Sequence, residues 1–301
     1  MSGETLAFVY GAIGRWLTYL SVVTIVGAAG FTIGVKRTWR ADTDDQAALM
    51  QNRILRLTLA ATFILLGATA WRLYAQAYSV FGLDETVTWE YIRIIAFETT
   101  WGRGWIGQFG AAGLAILLLV LALVTGRAHR ILVAVAAVAA AATIPMTGHA
   151  LSSPAGAWLS VVVQVLHVAG VGLWIGTLFM VMASLRQASS RTFIAAVRAF
   201  SPLAFVAVTT IAITGSITAL MYLESFSELW STAYGGTLVI KVVLFGAAGA
   251  LGAYNWRRLR SVSDQPVQTG FLNRTAGAEL LVAWLILAVT AVLVALPLSH
   301  G

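Results

Sequence analysis

Stretches of about twenty apolar residues recur from one end of this chain to the other, and that recurrence limits its fold more than any other feature. A hydrocarbon core about 30 Å thick is crossed by about 20 residues of α-helix, the only open-ended structure that satisfies its own backbone there. Eight such segments can be marked, at about 7–35, 54–81, 105–125, 131–148, 156–184, 200–223, 235–256 and 277–298. The expected fold is therefore an all-α membrane protein with eight transmembrane helices, multi-pass in a lipid bilayer. Composition agrees, since 59% of residues are hydrophobic and 10% charged, against about a quarter charged in soluble domains. The first segment follows MSGETL, which has no basic region, and reads as a retained helix rather than a signal peptide.

The net charge of +7 raises the question of nucleic acid, but the placement of the basic residues answers it. Threading eight helices puts 14 of the 19 Lys and Arg on one side, among them Lys36, Arg53, Arg130, Arg198, Arg257 and Arg274, and only Arg93 and Arg103 on the other. The positive-inside rule then places both termini outside, which in a bacterium is the periplasm, and no nucleic-acid partner is expected. Arg15, Arg72 and Lys241 fall within the segments. Snorkelling to the headgroups is the expectation for the two arginines, whereas Lys241 is placed to point into the bundle.

The two halves echo each other. LGATAWRLY (66–74) matches TGSITALMY (214–222), and TTWGRGWIGQ (99–108) matches TAYGGTLVIK (232–241), setting Gly102 over Gly235 and Gln108 over Lys241. VGAAGF (26–31) lies over IGTLFM (175–180), and the fourth and eighth segments end in IPMTGHA (144–150) and ALPLSHG (295–301). Residues 1–148 and 149–301 thus read as two four-helix units. An even number of helices per unit relates the copies by an axis along the membrane normal.

With no cysteine present, soft-metal chemistry falls to His and Met. His167 sits deep in the fifth segment, with Gly170 and Trp174 three and seven residues on; it reads either as a metal ligand or as a neutral ring bonded to a carbonyl, Ser or Thr. Met146 and His149 share a face if the helix runs that far, a pairing that suits Cu(I), although Pro145 and Gly148 equally mark a helix end. His300 is the counterpart of His149 at the end of the last segment. Met221 extends a Met path or simply packs. Glu279, the one acid inside a segment, reads as an inner cation ligand, a proton carrier or a partner for Arg274 or Asn255. No nucleophile motif, phosphate-binding glycine loop or zinc-protease pattern is present, so no enzymatic activity is expected.

Taken in order, GHA (148–150), HVAGVGLWIGTL (167–178), YGGTLVIKVVL (234–244), AYNWRRL (253–259) and AELLVAW (278–284) resemble the copper resistance D (CopD) family of bacterial inner-membrane proteins. GRWLTYLSVVTIVGAAGF (14–31) and WGRGWIGQ (101–108) resemble the family's N-terminal region more loosely. The resemblance implies eight transmembrane helices, a role in copper resistance and homeostasis, and a periplasmic copper-binding partner. By position it points to His149, His167, Trp174, Lys241, Asn255 and Glu279. The chain departs from the family pattern at Thr18, where a His commonly follows arginine-aromatic-Leu.

The expected function is copper transport from periplasm towards cytoplasm, with Met146, His149 and His300 receiving the ion, His167 binding it midway, Trp174 lining the path, and Glu279 and Asn255 offering oxygen ligands near the exit. One rival is a membrane redox protein with haem b between His149 and His300, its propionates met by Arg15, Arg72 and Lys241. Another is a subunit that assists assembly of a periplasmic copper enzyme. Homo-oligomerisation is left open.

Overall fold

The computed structural model describes residues 2–36, 44–83, 85–125, 130–148, 156–185, 189–261 and 266–296. His149 and His300 lie outside these residues, as does His129. Among the described residues the secondary structure is helical throughout. In chain order the helices are α1 (Gly3–Gly30), α2 (Asp44–Phe81), α3 (Trp89–Glu98), α4 (Thr100–Thr125), α5 (Arg130–Thr143), α6 (Ala157–Val171), α7 (Thr177–Ser184), α8 (Ser190–Tyr222), α9 (Glu228–Ser231), α10 (Ala233–Ser261) and α11 (Pro266–Leu293). Wider π-type turns continue α1 through Phe31–Val35 and join α6 to α7 through Gly172–Gly176.

Seven helices among the described residues are long and apolar enough to cross a membrane: α1 with its extension, α2, α4, α6 to α7, α8, α10 and α11. The fourth expected segment is the exception. It forms a shorter apolar helix, Leu132–Thr147, in which α5 ends at Thr143 and a single tight turn follows at Pro145–Thr147. Pro145 has no N–H to continue the α-helical ladder, and Gly148 is extended at φ −127 and ψ −170. The described helix therefore ends at this point, and the pairing expected for Met146 and His149 falls on a residue outside the described ones.

Threonine and serine hydroxyls inside the apolar helices satisfy themselves by donating one turn back. Thr18 Oγ1 reaches Gly14 O at 2.8 Å, Ser21 Oγ reaches Leu17 O at 2.8 Å, and Thr62 Oγ1 reaches Thr58 O at 2.8 Å. No water is needed at these positions, as a bilayer requires.

Helix α1 is the centre of the bundle, buried almost continuously from Ser21 to Phe31. Its neighbours are α2, α5, the α6–α7 segment and α11. The crossing with the α6–α7 segment is made by glycines. A β-carbon on Gly27 would stand 2.0 Å from the carbonyl carbon of Gly176, and one on Gly176 would stand 1.9 Å from Val23 O. Thr177 Oγ1 adds a bond to Gly27 O at 3.4 Å. Small residues thus bring the two backbones into contact, the usual means of tight association where lipid supplies no hydrophobic drive between helices.

Candidate functional site

A cavity of about 740 Å³ occupies the half of the bundle where α1 begins and α11 ends. Its walls come from α1, α6, α8, α10 and α11 and are mainly apolar. The polar side chains that line it include Arg15, Arg72, Gln164, His167, Thr290 and Lys241. Two of the three intramembrane cations were expected at the lipid surface, yet all three face this cavity.

His167 is held on the wall by α8. Its Nδ1 lies 2.9 Å from Thr214 Oγ1, and that hydroxyl lies 2.6 Å from Thr210 O. The single hydroxyl proton goes to the Thr210 carbonyl, so Thr214 accepts from His167 and the imidazole carries its proton on Nδ1. Nε2 is left with the lone pair, the form in which a histidine binds a metal. Gly215 makes room for the ring, since a β-carbon there would come within 3.4 Å of His167 Cε1. Of the two sequence readings of His167, the bond to a threonine is the one the structure shows.

Trp174 lies in the π turn, 3% exposed. The wider turn shifts it off the face that His167 and Gly170 share against α8, and it packs edge-on against Phe245 of α10 with ring centroids 5.8 Å apart. Trp174 lines the cavity, while its Nε1 donates to Glu279 Oε1 at 3.0 Å on the far side. Asn255 Nδ2 donates to Glu279 Oε2, also at 3.0 Å, and Asn255 Oδ1 is buried without a partner. Glu279 is 4% exposed, and Gly252 leaves the space its carboxyl fills. The indole is thus the floor of the cavity, and a carboxyl with two neutral donors and a spare amide oxygen lies below it. Of the two partners expected for Glu279, Asn255 is the one it meets.

Arg72 corrects an expectation. Instead of snorkelling it is 8% exposed, donating from Nη1 to Gln108 Oε1 at 3.1 Å and from Nη2 to Thr147 O at 3.2 Å. Its guanidinium also stands 5.9 Å from the Trp101 ring centre, and its stem lies across Gly14. The reason is geometric: the short helix before Gly148 leaves a free carbonyl end in the bundle, and a guanidinium caps it. Gln108 carried the only sequence hint, as the counterpart of Lys241.

Met146 and Met221 separate from this cavity. Met146 is 41% exposed and its sulfur faces Gly107 of α4, whereas its neighbours Thr147 and Gly148 line the cavity. Met221 is half-buried and not among the lining residues, although Leu220 and Tyr222 are. Among the described residues, no three His, Asp or Glu side chains converge as a metal cluster would.

Residues 194–293 match the family described as copper resistance protein D, and residues 8–157 match the copper resistance protein D-like N-terminal domain. The copper transport protein CutJ of Bacillus subtilis (strain 168) is 26% identical over 306 residues, covering 95% of this chain and 52% of the relative. The chain therefore spans about half the length of that relative. With its apolar helices, its cavity histidine and both matched regions in sequence order, the chain belongs to the copper resistance protein D family of multi-pass membrane proteins.

Proposed function

We propose that this protein carries copper across the bacterial inner membrane, from periplasm towards cytoplasm, and that it is a transporter rather than an enzyme. The reading takes Leu132–Thr147 as an eighth span, both termini as periplasmic, and residues 1–148 and 149–301 as the two halves. The observation that carries it is His167: a metal-ready Nε2 on the wall of a large cavity in a copper-family membrane protein. His149 and His300, with Met146 at the rim, collect the ion from a periplasmic copper-binding protein, and His167 takes it within the bundle. Movement of the Trp174 indole then opens the way to the oxygens of Glu279 and Asn255.

Charge sets a condition on this route. A cation 4 Å from an unneutralised positive charge is disfavoured by about 4 kcal/mol at an effective dielectric near 20. Arg15 and Lys241 must therefore be screened or turned aside while copper passes. The test is copper accumulation in cells expressing wild type or His167→Ala. Wild type should raise cell copper, and the variant should lose about tenfold or more of the gain, the scale of one binding step weakened by about 1.4 kcal/mol. Undiminished accumulation would remove His167 from the mechanism.

The haem b reading keeps one observation in its favour, the three cations around an apolar cavity. Its axial pair, His149 and His300, lies outside the described residues. A Soret band in protein purified after haem-replete expression would move the assignment to this reading.

A further inference from the structure

The cavity has a property that copper does not use. Arg15, Arg72 and Lys241 line it and no Asp or Glu does. Arg72 is bonded only to neutral oxygens, from Gln108 and Thr147. Arg15 and Lys241 have no hydrogen bond or ion pair among the described residues. Charged groups within a bilayer pair with an opposite charge or a backbone carbonyl, and among the described residues no carboxylate lines this cavity.

The cavity also opens sideways. Helix α10 packs along α11 and touches α8 at only a few positions. Several lining residues on the two sides of that gap, among them Leu220 at 70% and Val243 at 64%, are exposed. In a membrane this opening faces acyl chains rather than water. The volume is that of a small-molecule site, with mainly apolar walls and a few polar groups among them.

We propose that this cavity binds an anionic phospholipid drawn sideways from the bilayer between α8 and α10, with its phosphate between Arg15 and Lys241 and its acyl chains along Val242 and Val243. The phosphate supplies the missing counter-charge, and two basic side chains recognise it as basic pockets between transmembrane helices recognise lipid headgroups. Arg72 is already committed to Gln108 and Thr147 and plays the smaller part. The site stands independently of copper transport, although a bound phosphate would also meet the screening condition on the copper route.

The test is lipid retention, followed by native mass spectrometry without copper. The full chain is reconstituted in nanodiscs of equal phosphatidylglycerol and phosphatidylcholine, then released and stripped with detergent. Wild type should keep one phosphatidylglycerol per chain after phosphatidylcholine is lost. Arg15→Gln and Lys241→Gln should each lower that retention about tenfold, a change of about 1.4 kcal/mol in affinity. Val242→Trp, which fills the opening and leaves the charges in place, should lower it too; this variant and the wild-type lipid comparison decide the matter if a charge variant fails to fold. Equal retention of both lipids, or unchanged retention in a folded Arg15→Gln/Lys241→Gln variant, would overturn the proposal. Preferential retention of added oleate or a haem Soret band would do the same. A loss of retention with copper accumulation intact would support the lipid site and leave copper transport standing on its own.

Discussion

Helices α4 and α10 begin alike and then diverge. In each, a threonine follows a short helix, bonds back to that helix's last turn and receives the N–H of a glycine three residues later. Thr99 Oγ1 reaches Ile95 O at 2.7 Å and accepts from Gly102 N at 2.9 Å; Thr232 Oγ1 reaches Glu228 O and accepts from Gly235 N, both at 2.9 Å. Each glycine presses on carbonyl oxygens, so a β-carbon would stand 2.2 Å from Ala96 O at Gly102 and 2.0 Å from Glu228 O at Gly235. Six residues on, the likeness ends. Gln108 is fully buried and joined to Arg72 and Thr143, whereas Lys241 lines the cavity that His167 also lines. A shared backbone device thus leads to a buried amide in one helix and a cavity-lining cation in the other.

The likeness is broken most sharply at the glycines. Gly102→Val and Gly235→Val should each cost about 3 kcal/mol or more, because the obstacle is backbone rather than a movable side chain. Thermal unfolding in detergent would measure both losses, and a harmless change at one site only would show that the two helix starts are not equivalent. The next contrast is between the cations. Arg72→Met leaves Gln108 Oε1 and Thr147 O without their donor and should cost about 2 kcal/mol, while Lys241→Met should change the melting point little or raise it. Equal losses would mean that Lys241 has a structural partner after all.

A smaller effect is expected at the cavity floor. Trp174→Phe keeps the ring and removes one bond to Glu279, about 1 kcal/mol of stability. Its copper accumulation should change more than its melting point if the indole gates the route. Smallest of all is the difference between the short helices themselves. Arg93 pairs with Glu90 at 2.9 Å and Glu98 at 3.2 Å on α3, all well exposed. Arg93→Ala should leave the melting point unchanged, since exposed ion pairs contribute little.

Several particulars were legible before any coordinates. The apolar segments appear as helices close to where hydropathy put them, because a bilayer leaves the backbone few alternatives. His167 was identifiable as a polar group deep in an apolar segment and Glu279 as the one acid inside a segment, and such groups have to find partners. The matched glycines 102 and 235 were visible as equivalent positions. Other features left no trace. The π turn at Gly172–Gly176 re-aims Trp174 by one inserted residue's rotation, and periodicity reads the segment as an ordinary helix. Met146 turns from the cavity because α5 ends at Thr143, two residues before the proline that draws attention to the site.

Sequence alone determined that this chain crosses a membrane many times, which side chains are costly there, and where backbones can touch. All of these follow from composition and length against a solvent that accepts no unpaired polar group. Tertiary structure decided the direction in which those side chains point. Arg72 was expected to snorkel to the headgroups and instead caps a buried carbonyl, while Lys241, expected to point into the bundle, lines the cavity. Rotation about a helix axis costs nothing until neighbours pack against it, so facing is fixed by helices distant in sequence. The same packing turned His167 from a polar oddity into a cavity-lining imidazole whose Nδ1 is tied to Thr214 of another helix.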